Sequence, residues 1–365
     1  MDILIPDLHI LIIEQLSIIK RLKMRTINKY FNNLISSNNM QQMIIPITPI
    51  HIKHLTHIRK LYFDIKIRNE SKIESYDNII SAKIQKYIPD TQIKKMTNIT
   101  KLSVNNKITD TTLQNLTKLT SLNLTENKLI SNTAIIYLTN LQTLKLFYNK
   151  KITDISHLTK LSYLNLQADN KISDLCLIPM TNLTRLNLCN NKIISELYIS
   201  TLTNITNLNI ACNPNITNRV LLCLTNITNL IICDNCTITD NGLSSLTKLK
   251  ILEIANDSII TDDAIKKITS ITKLSLYGAN GITRRVLRDL TNITHLCLTH
   301  MKIGDADVEH LTNIKILNIS ATNISSDAIT KLTNLIKLNA IPKSTLTNDI
   351  YNMPKIKYIN GTRLV

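Results

Sequence analysis

Two groups of residues have the types and the spacing that could support chemistry. His51, His54 and His57 are spaced by three, so they could share one face of a helix, and imidazole is a common zinc ligand. No cysteine or carboxylate stands close enough in the sequence to complete a four-ligand zinc set. These histidines are therefore interpreted as linker residues, and neither a metal ion nor another cofactor is predicted.

Cys233 and Cys236 form a C-x-x-C pair, the spacing found in thiol–disulfide redox sites. Redox pairs of this form lie at the N-terminus of a helix, where the helix dipole lowers the thiol pKa. Here Cys233 follows a strand-like run, and Asn235 belongs to a recurring asparagine column. The pair is interpreted as ordinary repeat residues. No Ser/His/Asp or Cys/His combination is singled out either, so no catalytic residue is predicted and the chain is not expected to be an enzyme.

The composition is basic. Among 365 residues, Lys and Arg number 43 and Asp and Glu number 26, which gives a net charge of +17. The lysines are spread over nearly every part of the sequence, and few aromatic residues accompany them as base-stacking groups. This pattern predicts a solvated basic surface and no specific nucleic-acid partner. With only 5 glycines, a Gly-rich phosphate-binding loop is not expected either.

The N-terminal segment is apolar, but Asp7, Glu14 and Gln15 interrupt the run from Ile3 to Ile19. The run is too polar and too short to span a bilayer, so no membrane association is predicted. We expect a cytoplasmic protein, which for a viral protein means the host cytoplasm. The cysteines would then be free thiols, and their odd number, 7, excludes a complete set of intramolecular disulfides.

A repeat of 20 to 22 residues dominates the chain. Each unit reads L-x-x-L-x-L-x-x-N-x-I/L, and twelve units span residues 96–352, about 70 % of the sequence. The first residues of successive units are Met96, Leu116, Leu138, Leu158, Met180, Leu202, Leu224, Leu246, Ile268, Leu290, Leu311 and Leu332.

The unit has a direct physical interpretation. The L-x-L stretch predicts a short strand with buried leucines and outward intervening residues, because side chains alternate along a strand. The asparagine that follows is predicted to be buried and to bind backbone groups of the turn. The asparagines of this column are Asn127, Asn149, Asn191, Asn213 and Asn235. The column changes at Met301, where the turn is expected to be least regular. Thr109, Thr239 and Thr261 are predicted N-caps of short helices, which at this repeat length are brief or of the 3-10 type.

The repeat resembles the leucine-rich-repeat family, and twelve units make that resemblance specific. It implies an α/β solenoid with a parallel sheet on the concave face and short helices or 3-10 turns on the convex face. Ile238-Thr239-Asp240 with Gly242 and Leu243 is similar to the cysteine-containing repeats found beside F-box motifs. Ile152-Thr153-Asp154 is more similar to internalin-type repeats. Both subclasses remain open at this point.

The outward strand positions are the natural binding surface of such a fold. Aromatic residues and arginine are the usual binding hot spots. Ile231, Cys233, Ile251 and Ala255 are expected to form an exposed apolar patch. The predicted target-binding residues are Lys145, Phe147, Tyr163, Arg185, Ile231, Ile251, Glu253, Tyr277 and His295.

Residues 1–40 do not follow the repeat and predict a small α-helical motif. Ile5-Pro6 near the start and Ile27-Asn28-Lys29-Tyr30-Phe31 near the end resemble the F-box. That resemblance implies docking on a Skp-type adaptor protein. The adaptor-binding residues would be Ile5, Pro6, Leu8, Leu11, Leu16, Leu22 and Phe31. The alternative is a helical cap that covers the open end of the repeats, as every repeat array requires.

Residues 41–95 are interpreted as a linker and a degenerate repeat, with a strand in 55–63 and an inserted helix in Tyr76–Ile88 that ends at Pro89. Residues 353–365 are interpreted as a partial repeat or cap. The sequence thus predicts a protein-interaction module that serves as the substrate-recognition subunit of an SCF-type cullin–RING ubiquitin ligase. The alternative is a stand-alone binding scaffold that recruits no ligase.

Overall fold

A computed structural model describes residues 60–63, 80–84, 90–104, 108–168, 170–256, 259–279, 281–341 and 346–364. The chain divides into two compact units, Met1–Leu161 (unit 1) and Ser162–Val365 (unit 2). In the described part of both units each repeat contributes one short strand, and within each unit successive parallel strands begin 20 to 22 residues apart. This spacing confirms the predicted repeat.

Unit 1 has five parallel strands in its described residues, paired in sequence order. They are β1 (Lys60–Phe63), β2 (Ser81–Ile84), β3 (Lys101–Val104), β4 (Ser121–Asn123) and β5 (Thr143–Lys145). The α-helices in the described residues of this unit are Asp90–Ile93, Asp110–Leu113 and Asn132–Ile135.

The helix predicted for Tyr76–Ile88 is wrong at its centre, where the structure has strand β2. Ala82 of β2 lies in register with Leu61 of β1 and Leu102 of β3, so it occupies a leucine position of the repeat. Pairing with both neighbours satisfies the backbone groups of the strand, which outweighs a weak helical pattern. The strand predicted within 55–63 is confirmed at Lys60–Phe63.

Unit 2 has eleven strands in its described residues, all parallel except the last. They are β6 (Tyr163–Asn165), β7 (Arg185–Asn187), β8 (Asn207–Asn209), β9 (Asn229–Ile231), β10 (Ile251–Ala255), β11 (Lys273–Tyr277), β12 (His295–Cys297), β13 (Ile316–Asn318), β14 (Lys337–Asn339), β15 (Tyr358–Ile359) and β16 (Thr362–Arg363). Between β15 and β16, Asn360 and Gly361 both have positive φ, as a type I′ hairpin turn requires.

Short helices lie between the strands of unit 2, as the repeat length predicts. The α-helices are Asn218–Cys223, Asp240–Leu243, Asp262–Lys267 and Ser326–Thr330. In the described residues of this unit the 3-10 helices are Asp174–Leu177, Ile199–Thr201, Arg284–Asp289, Asp305–Asp307 and Asn348–Asn352.

The asparagine column is structural, as predicted. Asn191 is fully buried, and its Oδ1 accepts the backbone amides of Ile193 (3.0 Å) and Ile194 (2.8 Å). Its Nδ2 donates to the carbonyl oxygen of Leu166 in the preceding repeat at 2.7 Å. One side chain thus satisfies three buried backbone groups and joins two repeats.

The turn at Met301 keeps the common backbone path but not the side-chain bonds of the other turns, so the expectation of irregularity there holds in part. His300 has the same left-handed backbone as its equivalents, and the Met301 amide donates to the Leu298 carbonyl as the Asn191 amide does to Leu188. The carbonyl oxygen of Met301 itself accepts the amide of Ile303 at 3.0 Å. The backbone therefore supplies the acceptor that the asparagine side chain supplies elsewhere.

A second set of hydrogen bonds, which we call the cap ladder, joins the helical sides of neighbouring repeats. Asp240 Oδ1 accepts the backbone amide of Thr261 (2.8 Å), and its Oδ2 accepts the Thr261 hydroxyl (2.5 Å). The Thr261 hydroxyl oxygen in turn accepts the Asp263 amide, so Thr261 is the N-cap that the sequence predicts. The residues at the position of Asp240 in the cap ladder are Asp90, Asp110, Asn132, Asp174, Glu196, Asn218, Asp240, Asp262 and Asp305.

The cap prediction fails at Thr109. This residue makes no side-chain cap bond, although its hydroxyl donates to Asp90 as the Thr261 hydroxyl donates to Asp240. The cap ladder itself is interrupted at Arg284, which replaces the usual acceptor. The next repeat compensates within itself, since the Gly304 amide donates to Asp307 Oδ2 at 2.9 Å.

Candidate functional site

The candidate site is the strand face, by which we mean the outward side chains at the first, third and fifth residues counted from the start of each strand. On β7 these are Arg185, Asn187 and Cys189, which alternate with the buried Leu186 and Leu188. Parallel pairing places Arg185 beside Asn207 and Asn187 beside Asn209, with adjacent strands about 4.8 Å apart. Outward residues of neighbouring repeats therefore form continuous rows.

The middle row of the strand face holds amides with a fixed orientation. Asn187 Oδ1 accepts the backbone amide of Cys189 at 2.9 Å, and Asn209 Oδ1 accepts that of Ala211 at 3.0 Å. These bonds hold the side chains against their own strands. Within the described residues the Nδ2 groups of both asparagines donate to no protein acceptor, so each can donate to a bound molecule.

Arg185 and Tyr163 are brought together at the start of β6 and β7. The guanidinium carbon of Arg185 lies 5.0 Å from the centroid of the Tyr163 ring, and the two residues are register partners. This cation–π contact orders an exposed arginine without neutralising its charge. Both residues were predicted to bind the target, and the structure makes them one contact surface.

The predicted apolar patch is only partly formed. Ile231 lies in register with Glu253, whereas Ile251 lies beside Asn229 and Lys273, so the two isoleucines are diagonal neighbours. Both are partly exposed. Ala255 is only 6 % exposed, because β10 extends to place it in register with the large side chain of Tyr277. The exposed group is therefore Ile231, Ile251 and the partly buried Cys233 around the carboxylate of Glu253.

Tyr277 and His295 are the last two of the predicted target-binding residues. Tyr277 is 42 % exposed, and its ring meets His300 edge-on with centroids 5.2 Å apart. Partial burial, together with the charges of Lys273 and Lys315, lowers the pKa of His295 below its usual value. A neutral imidazole at this position accepts a hydrogen bond from Thr294 or donates one to it, since Nδ1 lies 2.8 Å from the Thr294 hydroxyl.

Lys145 and Phe147 lie on unit 1. Phe147 packs against Tyr148, with ring centroids 4.3 Å apart and the planes tilted by 48°. The predicted adaptor-binding residues, Ile5 to Phe31, lie outside the described residues, and so do His51, His54 and His57.

The cysteine pair lies at ordinary positions of the repeat. Asn235 between the two cysteines is buried and holds the turn, and the nearest helix starts only at Asp240. Burial, with the charges of Glu253 and Asp234, raises the pKa of the Cys233 thiol to about 11. A redox-active thiol needs the opposite shift. The interpretation of this pair as ordinary repeat residues is confirmed.

Two further observations concern the described residues as a whole. No group of three His, Cys, Asp or Glu side chains among them is placed to hold a metal ion. None of the helices in the described ranges combines the length and apolar character needed to cross a membrane.

Sequence reasoning missed a set of exposed aliphatic residues on the helical side of unit 2. Leu175 and Leu197 occupy equivalent positions in consecutive repeats and are 62 % and 64 % exposed. Ile178 and Leu222 lie one helical turn further along and are also exposed. The signal was an aliphatic residue at the helix position that carries Asn241 or Asp263 in other repeats.

Solved structures of repeat proteins are similar to this chain, among them the following three, whereas no protein-family profile and no curated protein sequence matches it. An internalin from Listeria monocytogenes is 28 % identical, with 78 % of this chain and 88 % of the internalin covered and a TM-score of 0.54. A leucine-rich-repeat protein of Leptospira interrogans is 20 % identical, with coverages of 86 % and 93 % and a TM-score of 0.50. The yeast Rad7 and Elc1 complex contains a chain that is 15 % identical, with coverages of 94 % and 92 % and a TM-score of 0.55.

These similarities concern the fold. The sequence repeat, the parallel strand ladder and the buried asparagine column are each present in the residues of this chain. Together with the structural neighbours, they show that the chain has a leucine-rich-repeat solenoid fold.

Proposed function

We propose that this protein is a binding scaffold for another protein and that the strand face of unit 2 holds the target. The observation that supports this proposal is that each repeat uses one set of residues for hydrogen bonds between repeats and leaves another set exposed on the strand face. Asparagine-column and cap-ladder residues recur from repeat to repeat and are occupied by hydrogen bonds between repeats. In the first row of the strand face the residue types vary, as Tyr163, Arg185, Asn207, Asn229, Ile251, Lys273 and His295 show, whereas the middle row repeats asparagine at Asn165, Asn187 and Asn209.

The chemistry of that row suits a protein partner. It combines an ordered arginine, exposed aromatic rings and aliphatic side chains with amide donors, the mixture that dominates protein interfaces. Stacked strands also present such groups over a long surface, which one small molecule would not fill. We therefore assign the predicted target-binding residues of unit 2 to one surface, and keep Lys145 and Phe147 as a separate proposal on unit 1.

Site-specific photo-crosslinking tests the scaffold. A benzophenone amino acid is placed at Ser275 on the strand face, or at Leu197 on the helical side as the matched control. Both variants are expressed as the full chain in cells. We expect a protein adduct from Ser275 and none from Leu197. Adducts from Leu197 alone, or from neither position, would contradict the assignment of the strand face.

We further propose that the protein recruits its target to an SCF-type cullin–RING ubiquitin ligase. Support comes from the resemblance of residues 1–40 to the F-box. Residues Ile5, Pro6, Leu8, Leu11, Leu16, Leu22 and Phe31 would dock on the Skp-type adaptor. The chain would carry out no chemistry itself, but would raise the local concentration of target near the charged ubiquitin carrier.

A pull-down with purified Skp-type adaptor tests the recruitment. The full chain is compared with Ile5→Asp/Leu8→Asp and with Leu175→Asp/Leu197→Asp, which places the same charges on exposed aliphatic positions of the helical side. Capture by the wild type and the second variant, but not the first, supports adaptor binding. If none of the folded proteins captures the adaptor, residues 1–40 are a cap and the protein is a stand-alone scaffold.

A further inference from the structure

Glu253 is a single acidic residue on an otherwise neutral or basic surface. Among the described strand-face positions of β6 to β14, it is the one carboxylate, whereas Arg185, Lys273 and Lys337 are cationic. The whole chain has a net charge of +17. A carboxylate in these surroundings marks a local reversal of charge, to which Asp234 in the turn after β9 adds.

The neighbours of Glu253 are mostly apolar. Ile231 lies beside it on β9, and Ile251 lies two residues before it on β10. Ser275 is its register partner on β11. Glu253 itself is half-buried, so bound apolar groups would remove most of the remaining water from its carboxylate.

The carboxylate of Glu253 also has no bonding partner among the described residues. It makes no hydrogen bond and no ion pair with the described residues, although Lys273 is a diagonal neighbour on the next strand. Its negative charge nevertheless acts locally, since after burial it is the largest influence that raises the pKa of the Cys233 thiol. Asp234 adds to that effect but is hydrogen-bonded to Asn256 Nδ2 at 2.6 Å.

We propose that Glu253 recognises a basic side chain of the target, an inference that rests on the proposed function of the strand face. The chemical class is an extended segment with Arg or Lys next to aliphatic residues. The basic group pairs with the Glu253 carboxylate, and the aliphatic side chains cover Ile231 and Ile251. A guanidinium can bind a carboxylate through two parallel hydrogen bonds, and exclusion of water by the isoleucines strengthens that pair.

The distance between Glu253 and Ile251 determines how far apart the basic and aliphatic residues of the bound segment must be. Glu253 and Ile251 are two residues apart on one strand, about 6.7 Å, which equals the distance between alternate residues of an extended peptide. A segment that runs along β10 therefore brings an aliphatic residue over Ile251 when its basic residue, two positions away, meets Glu253. The expected motif is a basic residue with an aliphatic residue two positions before or after it.

A phage-displayed library of random dodecapeptides, selected on the immobilised full chain, tests this proposal. We expect enrichment of peptides with the stated motif. Fluorescence polarisation of a selected synthetic peptide should show at least tenfold weaker binding to Glu253→Gln than to the wild type. Glu126→Gln, which removes an exposed carboxylate from unit 1, is the matched control and should bind as the wild type does. Equal thermal unfolding of both variants excludes a folding effect.

The other outcomes separate this proposal from the one on which it rests. Selected peptides that lack a basic residue, or that bind Glu253→Gln unchanged, overturn the basic-segment proposal. If their binding is nevertheless lost in Ile231→Asp, the strand face remains the binding surface. Peptides that bind Glu253→Gln and Ile231→Asp equally well contradict both proposals.

Discussion

At the scale of single residues, the thiols show how the repeat controls chemistry. Cys233 projects from the strand face but is partly covered, and Glu253 and Asp234 place negative charge beside it. Cys189 and Cys212 follow the same rule, because burial raises the pKa of both thiols. Cys223 and Cys236 are exposed. Seven free cysteines in one chain therefore differ in their reactivity.

We predict that Cys233 reacts slowly with iodoacetamide. With a pKa of about 11, about one thiol in a thousand is ionised at pH 8. An ordinary thiol, with a pKa of about 8.5, is ionised about two hundred times more. Pulse labelling with peptide mass spectrometry should find Cys223 and Cys236 modified first, and the Cys233 rate should rise about tenfold per pH unit. Labelling of Cys233 as fast as Cys236 at pH 8 would refute this assignment.

The cap ladder makes another residue-scale prediction. Hydrogen bonds from the Ser325 hydroxyl and amide lower the pKa of Asp305. A lowered pKa in the folded state gives stability that is present above the unfolded pKa, about 3.9, and is lost as the pH falls through the folded value. Ser325→Ala should therefore lower the free energy of unfolding by about 0.5–1.5 kcal/mol at pH 7, and by less below pH 3.

Urea unfolding at pH 7 and pH 2.5 measures this effect. Ser320→Ala is the matched control, because the Ser320 hydroxyl makes no hydrogen bond within the described residues. The control should be nearly neutral at both pH values. A loss in Ser325→Ala that is the same at both pH values would show that the Asp305 charge plays no part.

At the scale of elements, the short helices depend on their neighbours in the next repeat. Helices of 4 to 6 residues are too short to be stable alone. Their N-termini are fixed by side chains from the preceding repeat, as Asn218 fixes Thr239 through bonds of 3.0 and 2.9 Å. Helix stability in this protein is therefore a property of pairs of repeats.

We predict that Gly242→Ala is destabilising. A Cβ atom at Gly242 would lie 2.4 Å from Asn218 Oδ1 and 3.3 Å from Leu221 Cδ1. Asn218 can move only by giving up its bonds to Thr239. The expected loss is about 1–3 kcal/mol in the free energy of unfolding.

Gly304→Ala is the control for this substitution, because a Cβ atom there meets no atom within 4 Å and its φ is −136°. Gly304→Ala should be neutral or stabilising by up to about 1 kcal/mol. Chemical denaturation of both variants gives the comparison. Equal stabilities would show that the close approach of Gly242 to Asn218 has no energetic consequence.

The sequence predicted the strands better than the hydrogen bonds that join neighbouring repeats. Leucine spacing was sufficient to place the strands from Lys101 onward, because burial of one face fixes the register of a strand. Strand β2 was missed because Ala82 replaces the leucine and adjacent isoleucines also fit a helix. The cap ladder was missed because Thr-Asp pairs were interpreted within one helix, whereas the bonds of Asp240 reach the next repeat.

At the scale of the whole molecule, residues that recur in every repeat can be distinguished from residues that vary and are available to bind a partner. Residues that recur every 20 to 22 positions are used in the core and in hydrogen bonds between repeats. Varied residues remain in the first row of the strand face, and most of the candidate site was predictable from the alternation of side chains along the strand. The separation of Ile231 from Ile251 and the burial of Ala255 were not predictable, since both depend on strand length and on the side chains of neighbouring repeats.

The most direct test of the central claim compares two doubly substituted full chains in quantitative co-purification. Arg185→Ala/Tyr277→Ala removes two exposed groups from the strand face, and Arg219→Ala/Tyr351→Ala removes the same two residue types from the helical side of unit 2. We expect the amount of bound protein to fall at least tenfold in the first variant and to be retained in the second. Loss in the second variant with retention in the first would contradict the claim.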